Sequence, residues 1–486
     1  MPTNRRTFLG QLGSASLLVL PAAVHGQVAA AKRPPNIVFL YADDLGWTDL
    51  GCFGSTYYET PNLDRLCAQG MKFTDAYSPA ANCAPARACV LSGQYVPRHG
   101  LYSVGGKRRF DSNRKLLKWN QRKVLAPENA KGLPGDKVTF AETLRTAGYT
   151  CGHFGKWHLG GEKSQTPAGQ GFTKSLPMKS SKTHWVLPNA RRRTKETDPK
   201  MYMSDVFAKG ALAFLEANKD QPFCLYYADY LVHVPLEAKE PLVAKYKAKK
   251  PVGGHKNPVY AAMIETLDTN FARVLDKLDE LGLTDNTVVF FFSDNGGCGT
   301  AKNRGLGPGN GITSNLPLRG MKGMLYEGGI RVPLTVRWPG VTQPGSTCSV
   351  PVIGVDLYPT FAELAGAAAP KDQPLDGESI VPLLKDSTAK LKREDIHWWM
   401  PGYLPHRQAP AHAMRSGDWK VIEFFEDSHL ELFNLRSDIG ERKDLAKTYP
   451  NKLRQLHDKL KAWRAAVGAT IPPRNPDFDP ANKGKW

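Results

Sequence analysis

The chain has few of the features that would assign a sequence to a specialised class. Its eight cysteines are scattered along 486 residues and no C-x-x-C pair is present, which argues against a small disulfide framework and a cysteine-rich zinc site. There is no zinc finger, ribonucleoprotein motif or basic-aromatic repeat, so we expect no nucleic-acid partner. No apolar run is long enough to cross a bilayer, so we expect no membrane span.

The composition is that of a globular protein with an excess of positive charge. Hydrophobic residues make up 41% of the chain and charged residues 23%, and the length allows a large core and two domains. The formal net charge is +19, from 65 Lys and Arg against 46 Asp and Glu. A surface with this charge attracts anionic partners, of which an anionic membrane or polysaccharide is favoured over nucleic acid.

Residues 1–31 have the pattern of a targeting segment. Arg5 and Arg6 lie in a twin-arginine motif, an apolar run follows at 16–24, and three alanines at 29–31 offer a cleavage site. We therefore expect export through the twin-arginine machinery, to the periplasm or the extracellular space. The alternative is a frayed N-terminus with a chance pair of arginines. If the protein is exported, one or two disulfides are possible.

Four short apolar runs predict buried β-strands, and polar side chains follow each of them. The runs and their polar residues are 36–42 with Asp43 and Asp44, 148–154 with Lys156 and His158, 223–227 with His233, and 287–293 with Asp294 and Asn295. Ligands bind beyond the carboxyl ends of strands in open α/β sheets, so a parallel sheet would gather these groups into one pocket. Each group alone is also compatible with an ordinary polar turn or surface position. In extended backbone, Lys156 and His158 would share a face.

The stretch Cys83-Ala84-Pro85-Ala86-Arg87 predicts the start of a helix beside this pocket. Pro85 suits a first helical turn, and the apolar residues after it continue to Ser92. Cys83 would then lie at a helix N-terminus, where free N–H groups and the helix dipole favour an anion. Arg87, one turn later, would add a permanent charge. The alternative is a small cysteine that is merely packed.

The rest of the chain predicts further elements and a domain boundary. Lys322 lies in a tight glycine context, and residues 261–281 have helical periodicity. Several short strands from His397 onward predict antiparallel pairing. We expect the domains to be a targeting segment at 1–31, a catalytic domain at 34–366, a smaller C-terminal domain at 367–470 and a tail at 471–486.

Together these motifs resemble the type I sulfatases of the alkaline phosphatase superfamily. CAPAR resembles the signature C-x-P-S-R, with Ala86 in place of Ser, and it meets the looser maturation pattern C-x-[PA]-x-R. The other matches, all in the family's order, are PNIVFLYADDLGW, TPNLDRL, LSG, GKWHLG, SDNGG, LRGMKGMLYEGGIRVP and DLYPT. The resemblance implies an α/β fold with a large mixed β-sheet between helices, and a smaller C-terminal α+β domain built on an antiparallel sheet.

The family also implies a modified residue and a metal ion. Cys83 would be converted to formylglycine, whose hydrate is the nucleophile, by a formylglycine-generating maturase. Asp43, Asp44, Asp294 and Asn295 would hold one Ca²⁺ together with the formylglycine. Oxygen-only ligands suit this ion.

The remaining implied roles concern charge and proton transfer. Arg87 would orient the formylglycine hydrate and the metal ligands. Lys156 and Lys322 would bind sulfate oxygens and neutralise their charge. His158 would assist the second hydroxyl of the hydrate. His233 would protonate the leaving oxygen as general acid.

The predicted activity is hydrolysis of sulfate esters by an exported sulfatase. The basic charge favours a sulfated carbohydrate, of polysaccharide or glycosaminoglycan type, over a simple aryl sulfate. A phosphomonoester or phosphonate hydrolase of the same superfamily and an inactive glycan-binding relative are the alternatives. Candidates for substrate contacts are Ser180 or Ser181 near the sulfate and His184, Trp185, residues 191–193, His406 and Arg407 for sugar or carboxylate groups.

Overall fold

An eight-stranded mixed β-sheet forms the centre of the computed structural model. The structure describes residues 33–104, 118–178, 183–185, 201–298, 312–404 and 407–482, and those from Pro34 onward belong to one compact unit. The strands are β1 Asn36–Ala42, β2 Met71–Phe73, β3 Ala76–Tyr77, β4 Thr150–Lys156, β5 Lys174–Met178, β6 Phe223–Ala228, β7 Thr287–Ser293, β8 Leu334–Arg337, β9 Ser346–Cys348, β10 Val352–Ile353, β11 Asp395–Met400, β12 Ala411–Ser416, β13 Trp419–Phe424 and β14 Leu430–Asn434.

The strand order of the large sheet is β5-β4-β6-β1-β7-β8-β2-β9. The first five of these strands run parallel, whereas β8 is antiparallel to both of its neighbours. A second sheet contains β11 to β14 in sequential order and is antiparallel throughout. Strands β3 and β10 form a separate parallel pair. The mixed α/β sheet and the smaller antiparallel sheet confirm the predicted fold class.

Helices cover both faces of the large sheet. They are α1 Pro61–Gln69, α2 Cys83–Ser92, α3 Val96–His99, α4 Phe140–Thr146, α5 Met203–Asn218, α6 Glu240–Lys247, α7 Pro258–Glu280, α8 Glu327–Ile330, α9 Leu357–Ala365, α10 Val381–Lys385 and α11 Pro450–Val467. Side chains of β1 alternate between two cores: Phe39 packs with α2, α4 and α9, and Leu40 with α1, α5 and α7. A strand buried on both faces is a nearly continuous apolar run, as β1 is after Asn36.

The antiparallel sheet has α2 and the segment around Met324 on one face and the last helix, α11, on the other. Ile422 of β13 packs toward α2 and the segment around Met324, while its neighbour Val421 packs on Leu460 of α11. Helix α10, which lies inside the predicted 367–470 domain, packs instead into the core of the large sheet. The domain boundary at residue 366 stays a prediction.

A cluster of buried charged residues connects the antiparallel sheet to helix α8. Lys420 of β13 donates to Glu327 of α8 at 2.8 Å and pairs with Glu441 at 2.8 Å. Glu327 also accepts hydrogen bonds from Tyr77 at 2.7 Å and from Arg331 at 3.1 Å. Removing one partner of such a pair leaves an uncompensated buried charge, so the small sheet and α8 are held in a fixed relation.

No helix within the described ranges combines the length and apolar character needed to cross a bilayer. The predicted targeting segment at 1–31 lies outside the described residues, so export stays a prediction. All eight cysteines are free thiols.

The buried histidine pair beneath α11 predicts acid sensitivity. His397 Nδ1 and His412 Nε2 are 3.3 Å apart, and the His397 ring stacks on Trp463 at 4.6 Å. Burial lowers the pKa of His397 to about 3 and that of His412 well below its usual value. Since the unfolded chain binds these protons near pH 6.5, the stability is present above that pH and is lost as the pH falls toward 3.

We expect the free energy of unfolding to fall between pH 7 and pH 4, with up to about 1.4 kcal/mol per pH unit from each histidine. His397→Gln keeps a hydrogen-bonding side chain but does not titrate, so it should reduce the slope measured by chemical unfolding. Equal slopes for wild type and His397→Gln would contradict this assignment.

Candidate active site

The candidate site lies where four neighbouring parallel strands end. Strands β4, β6, β1 and β7 are consecutive in the sheet and parallel, so their carboxyl ends form one edge. Asp43 and Asp44 follow β1, Lys156 ends β4, and Asp294 and Asn295 follow β7. The structure therefore brings together polar groups that the sequence distributes over 250 positions.

Three carboxylates form the centre of the site. Asp43, Asp44 and Asp294 each offer an oxygen within 4.8 Å of the other two, and all three are buried. Consecutive side chains of a strand point to opposite faces, but Asp44 has a φ of 63°, which ends the extended conformation. The backbone N–H of Asp44 also donates to Asp294 Oδ1 at 3.1 Å. Both adjacent aspartates can thus face the same cluster.

Arg87 holds this cluster from α2. Its Nε and Nη2 donate to Asp294 Oδ2 at 3.0 and 2.8 Å, and Nη1 donates to the carbonyl oxygen of Lys156 at 3.1 Å. The guanidinium lies over the ring of Tyr41 at 4.9 Å and is fully buried. A planar, always charged group with several donors suits this position.

Two lysines face the other carboxylates. The ammonium of Lys156 pairs with Asp43. The ammonium of Lys322 lies 2.5 Å from Asp44 Oδ1 and donates to Oδ2 at 2.7 Å. Both lysines lie beside the carboxylate cluster, and their predicted contact with sulfate oxygens stays a prediction.

The pKa values of the carboxyl groups differ because their partners differ. Burial, followed by the charge of Asp43, raises the pKa of Asp294 to about 6, although Arg87 opposes the rise. Burial also raises the pKa of Asp43 against the effect of Lys156. For Asp44 burial is the largest cause and acts upward, but the neighbouring basic groups, led by Lys322, together outweigh it and the pKa is lowered. Additional positive charge here would favour full ionisation.

Two buried oxygens in the site have no hydrogen-bond partner within the described part of the chain. They are Oδ1 of Asp43 and Oδ1 of Asn295. The amide of Asn295 is oriented by its nitrogen, which donates to Asp44 Oδ1 at 2.8 Å and to the carbonyl oxygen of Gly296 at 3.0 Å. An unsatisfied buried oxygen is costly, and a cation with oxygen ligands would satisfy both. The residues present therefore fit Ca²⁺ or Mg²⁺.

Cys83 is the first residue of α2, as the sequence predicted, and its side chain is buried. One ligand atom each of Asp43, Cys83 and His233 lies within 4.8 Å of the other two. The thiol therefore faces the carboxylate cluster on one side and an imidazole on the other. This is a suitable position for a nucleophile made from residue 83.

His233 lies at the rim of the cluster with its tautomer fixed. Nδ1 is 2.6 Å from the carbonyl oxygen of Val234, which can only accept, so Nδ1 carries a proton and Nε2 has the lone pair in the neutral ring. Nε2 faces Asp44 Oδ2 at 3.7 Å. Burial, with Asp44 opposing and Lys322 assisting, lowers the pKa of His233 to about 3.

The predicted shared face of Lys156 and His158 is wrong in its geometry. Strand β4 ends at Lys156, and His158 has a φ of 64°, so the two residues are not joined by extended backbone. Much of the residue His158 is exposed. Its imidazole is nevertheless withdrawn from solvent, and this burial, together with the charge of Lys156, lowers its pKa.

The residues predicted to contact substrate differ in where the structure places them, and some lie outside the described ranges. His184 is buried, with 1% exposed, and its Nε2 lies 2.8 Å from the carbonyl oxygen of His233, so the prediction that it contacts sugar is wrong. Arg407 lies beside the site and donates to the carbonyl oxygen of Lys322 at 3.0 Å. The candidates outside the described residues are Ser180, Ser181, residues 191–193 and His406.

Sequence reasoning missed Tyr230. Its ring lies 5.2 Å from the Lys156 ammonium and 5.2 Å from the ring of His233, so it shapes the wall of the site. The only sequence signal was its position three residues after the end of the predicted strand at 223–227, immediately before the hydrophobic pair that precedes His233. Trp185, another candidate for substrate contact, packs its ring on Tyr202 at 4.9 Å.

Comparison with known proteins matches nearly the whole described chain. The sulfatase family model matches residues 35–367, and the model of the C-terminal part of N-sulphoglucosamine sulphohydrolase matches 321–466. The chain is 33% identical to a sulfatase of Formosa agariphila over 528 residues, with 92% of each chain covered. It is 34% identical to human arylsulfatase A over 431 residues, covering 82% of this chain and 76% of the relative.

A solved structure gives the same result in three dimensions. The crystal structure of Ps i-CgsB in complex with k-i-k-neocarrahexaose superposes with a TM-score of 0.73 at 28% identity, covering 93% of this chain and 95% of the other. The fold, the motifs and the family match agree along the same residues. The chain therefore belongs to the sulfatase family, and it is an enzyme that hydrolyses sulfate esters.

Proposed function

We propose that the chain hydrolyses sulfate esters of carbohydrates, using a formylglycine formed from Cys83 and one bound Ca²⁺. The observation that carries the proposal is the site itself: a buried residue 83 at a helix start faces three carboxylates within 4.8 Å of one another and three cationic side chains. This arrangement offers a nucleophile position, a metal position and an anion position in one place.

The donor set supports calcium. Asp43 Oδ1 and Asn295 Oδ1 are buried without partners among the described residues, and Asp44 and Asp294 each offer a carboxylate oxygen within 4.8 Å of one of Asp43. Hard oxygen ligands suit Ca²⁺ better than they suit a metal that prefers sulfur or nitrogen. When bound, the ion would supply positive charge at the oxygens of a sulfate group.

The chain's own cations would bind the sulfate. Lys156 and Lys322 pair with two different carboxylates of the cluster. Their ammonium groups are compact charges that can turn toward an incoming anion. In a buried site such charges stabilise the negative charge that develops on oxygen as the S–O bond breaks. Arg87 keeps Asp294 in place through two hydrogen bonds and so positions the ligand set.

The aldehyde hydrate of formylglycine would supply the nucleophile, and its second hydroxyl would allow the sulfate to leave again. Residue 83 fits this group because its side chain lies beside the Asp43 carboxylate and the His233 imidazole. His158, near Lys156 at the mouth, would receive a proton from the second hydroxyl.

His233 would protonate the leaving oxygen. The contact of Nδ1 with the Val234 carbonyl oxygen leaves Nε2 as the position that gains and donates the transferred proton. The low pKa of the free imidazole means that it is neutral before substrate binds. A sulfate anion held by Lys322 would offset the cationic surroundings and favour the protonated ring.

A carbohydrate substrate is supported by charge and by one relative. The chain carries a net charge of +19, which raises the encounter rate with polyanions. Ps i-CgsB, similar over 93% of this chain, was solved with k-i-k-neocarrahexaose. Arg407, beside Lys322, is placed to meet a further anionic or hydroxyl group of such a substrate. Export through the twin-arginine machinery and conversion by a maturase complete the proposal.

We expect the matured enzyme to have a higher kcat/KM on sulfated oligosaccharides than on aryl sulfates, and turnover of phosphate monoesters at least about tenfold lower, since the site is built for a singly charged ester. Steady-state assays on a panel of the three classes measure this ratio. Cys83→Ala is the control and should lose all turnover. Activity on aryl sulfates alone would overturn the carbohydrate assignment, a preference for phosphate would favour the phosphohydrolase alternative, and sulfated-glycan binding without turnover would favour the inactive one.

Removing one predicted metal ligand should separate metal binding from folding. We expect Asn295→Ala to weaken Ca²⁺ affinity and kcat/KM at least about tenfold, because it deletes the orphaned oxygen and the hydrogen bond that orients Asp44. Asn270→Ala is the matched control, since Asn270 is also buried and donates to Ser204 at 2.9 Å but lies in α7. Calorimetry should find one Ca²⁺ per chain in wild type and in the control. Equal Ca²⁺ affinity in Asn295→Ala would exclude it as a ligand.

A further inference from the structure

We propose that the unconverted chain, in which residue 83 is still cysteine, binds a thiophilic divalent cation of the Zn²⁺ type through Cys83, Asp43 and His233. Conversion of Cys83 would then change the metal preference of the site from Zn²⁺ to Ca²⁺. The zinc site concerns the chain before maturation, whereas the change to Ca²⁺ on conversion rests on the proposed function.

The geometry brings a sulfur, an oxygen and a nitrogen donor together. One ligand atom each of Asp43, Cys83 and His233 lies within 4.8 Å of the other two. A set of thiolate, carboxylate and imidazole is typical of Zn²⁺, which is four-coordinate and takes a solvent molecule as its remaining ligand in open sites. Ca²⁺ by contrast takes oxygen ligands and gains little from sulfur.

The lone pairs that a metal needs are free in two of the three groups. Asp43 is fully buried, and its Oδ1 has no hydrogen-bond partner within the described ranges. The Nδ1 atom of His233 is committed to the carbonyl oxygen of Val234 at 2.6 Å, which leaves the Nε2 lone pair available. A second contact that fixes one imidazole nitrogen is the usual way in which a metal-binding histidine is oriented.

Cys83 would be the third ligand, and it must lose its proton to bind the metal as a thiolate. The S–H bond of Cys83 breaks, the sulfur forms a bond to the metal, and the proton leaves to solvent. The ion brings two positive charges and the thiol releases one, so the cluster gains one. Asp43, Asp44 and Asp294 face Lys156, Lys322 and Arg87 here, so the added charge enters a nearly balanced set of charges.

Maturation would remove the feature that favours zinc. Formylglycine has no sulfur, so the donors that remain around residue 83 are oxygens and the imidazole of His233. Zinc in the unconverted site would also cover the thiol and protect it from alkylation or oxidation. The same pocket would thus hold different metals before and after conversion.

The test uses the full chain made in cells that lack the maturase, with the thiol at 83 verified by peptide mass and metals removed by a chelator. Co²⁺ serves as the spectroscopic probe, since it reports a thiolate ligand by a charge-transfer band. We expect the band to saturate at one equivalent, to vanish when Zn²⁺ is added, and to persist when excess Ca²⁺ is added. Zn²⁺ should also slow alkylation of Cys83 at least about tenfold.

Matched variants identify the ligands. Cys83→Ser should lose the band, and His233→Asn should bind Zn²⁺ at least about tenfold more weakly. Cys298→Ser and His429→Asn are the controls: Cys298 is a buried thiol beside Arg407, His429 is an exposed imidazole between β13 and β14, and neither residue belongs to the set of three. Both should keep wild-type binding.

The proposal is overturned if no band forms, if the band survives in Cys83→Ser or disappears in Cys298→Ser, or if Zn²⁺ affinity is unchanged in His233→Asn. Because His233 is partly exposed, its variant tests the site even if Cys83→Ser does not fold. No turnover is measured, so a failure here is distinct from a failure of the sulfate ester mechanism.

Discussion

The close approach of three buried carboxylates is the constraint on which the structure of this sulfatase depends. Asp43, Asp44 and Asp294 offer oxygens within 4.8 Å of one another, and in a water-poor site such charges repel strongly. The compensating cations come from three separate segments: α2, the end of β4 and the glycine-rich segment before α8. Each cation contacts a different carboxylate. The ion pairs of the candidate active site therefore also hold three separate segments of the fold together.

The C-terminal sheet also stabilises this site, although it supplies none of the three carboxylates. A Cβ on Gly296 would lie 2.0 Å from the carbonyl oxygen of Gly328, so the turn after Asn295 packs directly on the segment that carries Lys322. The backbone N–H of Lys322 donates to the carbonyl oxygen of Gly297 at 3.1 Å. Lys420 of the small sheet binds Glu327 on the same segment. The small sheet thus fixes the loop that carries Lys322.

Much of this could be predicted because the governing signals are local. Strands β1 and β7 begin and end at the predicted residues, since a strand buried on both faces is a continuous apolar run. Helix α2 begins at Cys83 as expected from Pro85. The failures depend on tertiary contacts: the backbone of His158 turns at a positive φ, and His184 is buried against the carbonyl oxygen of His233. No periodicity reports such contacts, and the partners of Lys322 and Asn295 also lie far away in sequence.

The mass of the peptide that contains Cys83, taken from protein made in its own host, tests the central claim most directly. The account predicts the aldehyde mass of formylglycine at residue 83, because a buried residue at the start of α2 faces both the carboxylate cluster and an imidazole. An unmodified thiol at residue 83, with other sulfatases in the same cells fully converted, would contradict it. The residues around Cys83 would then describe a binding site without the proposed nucleophile.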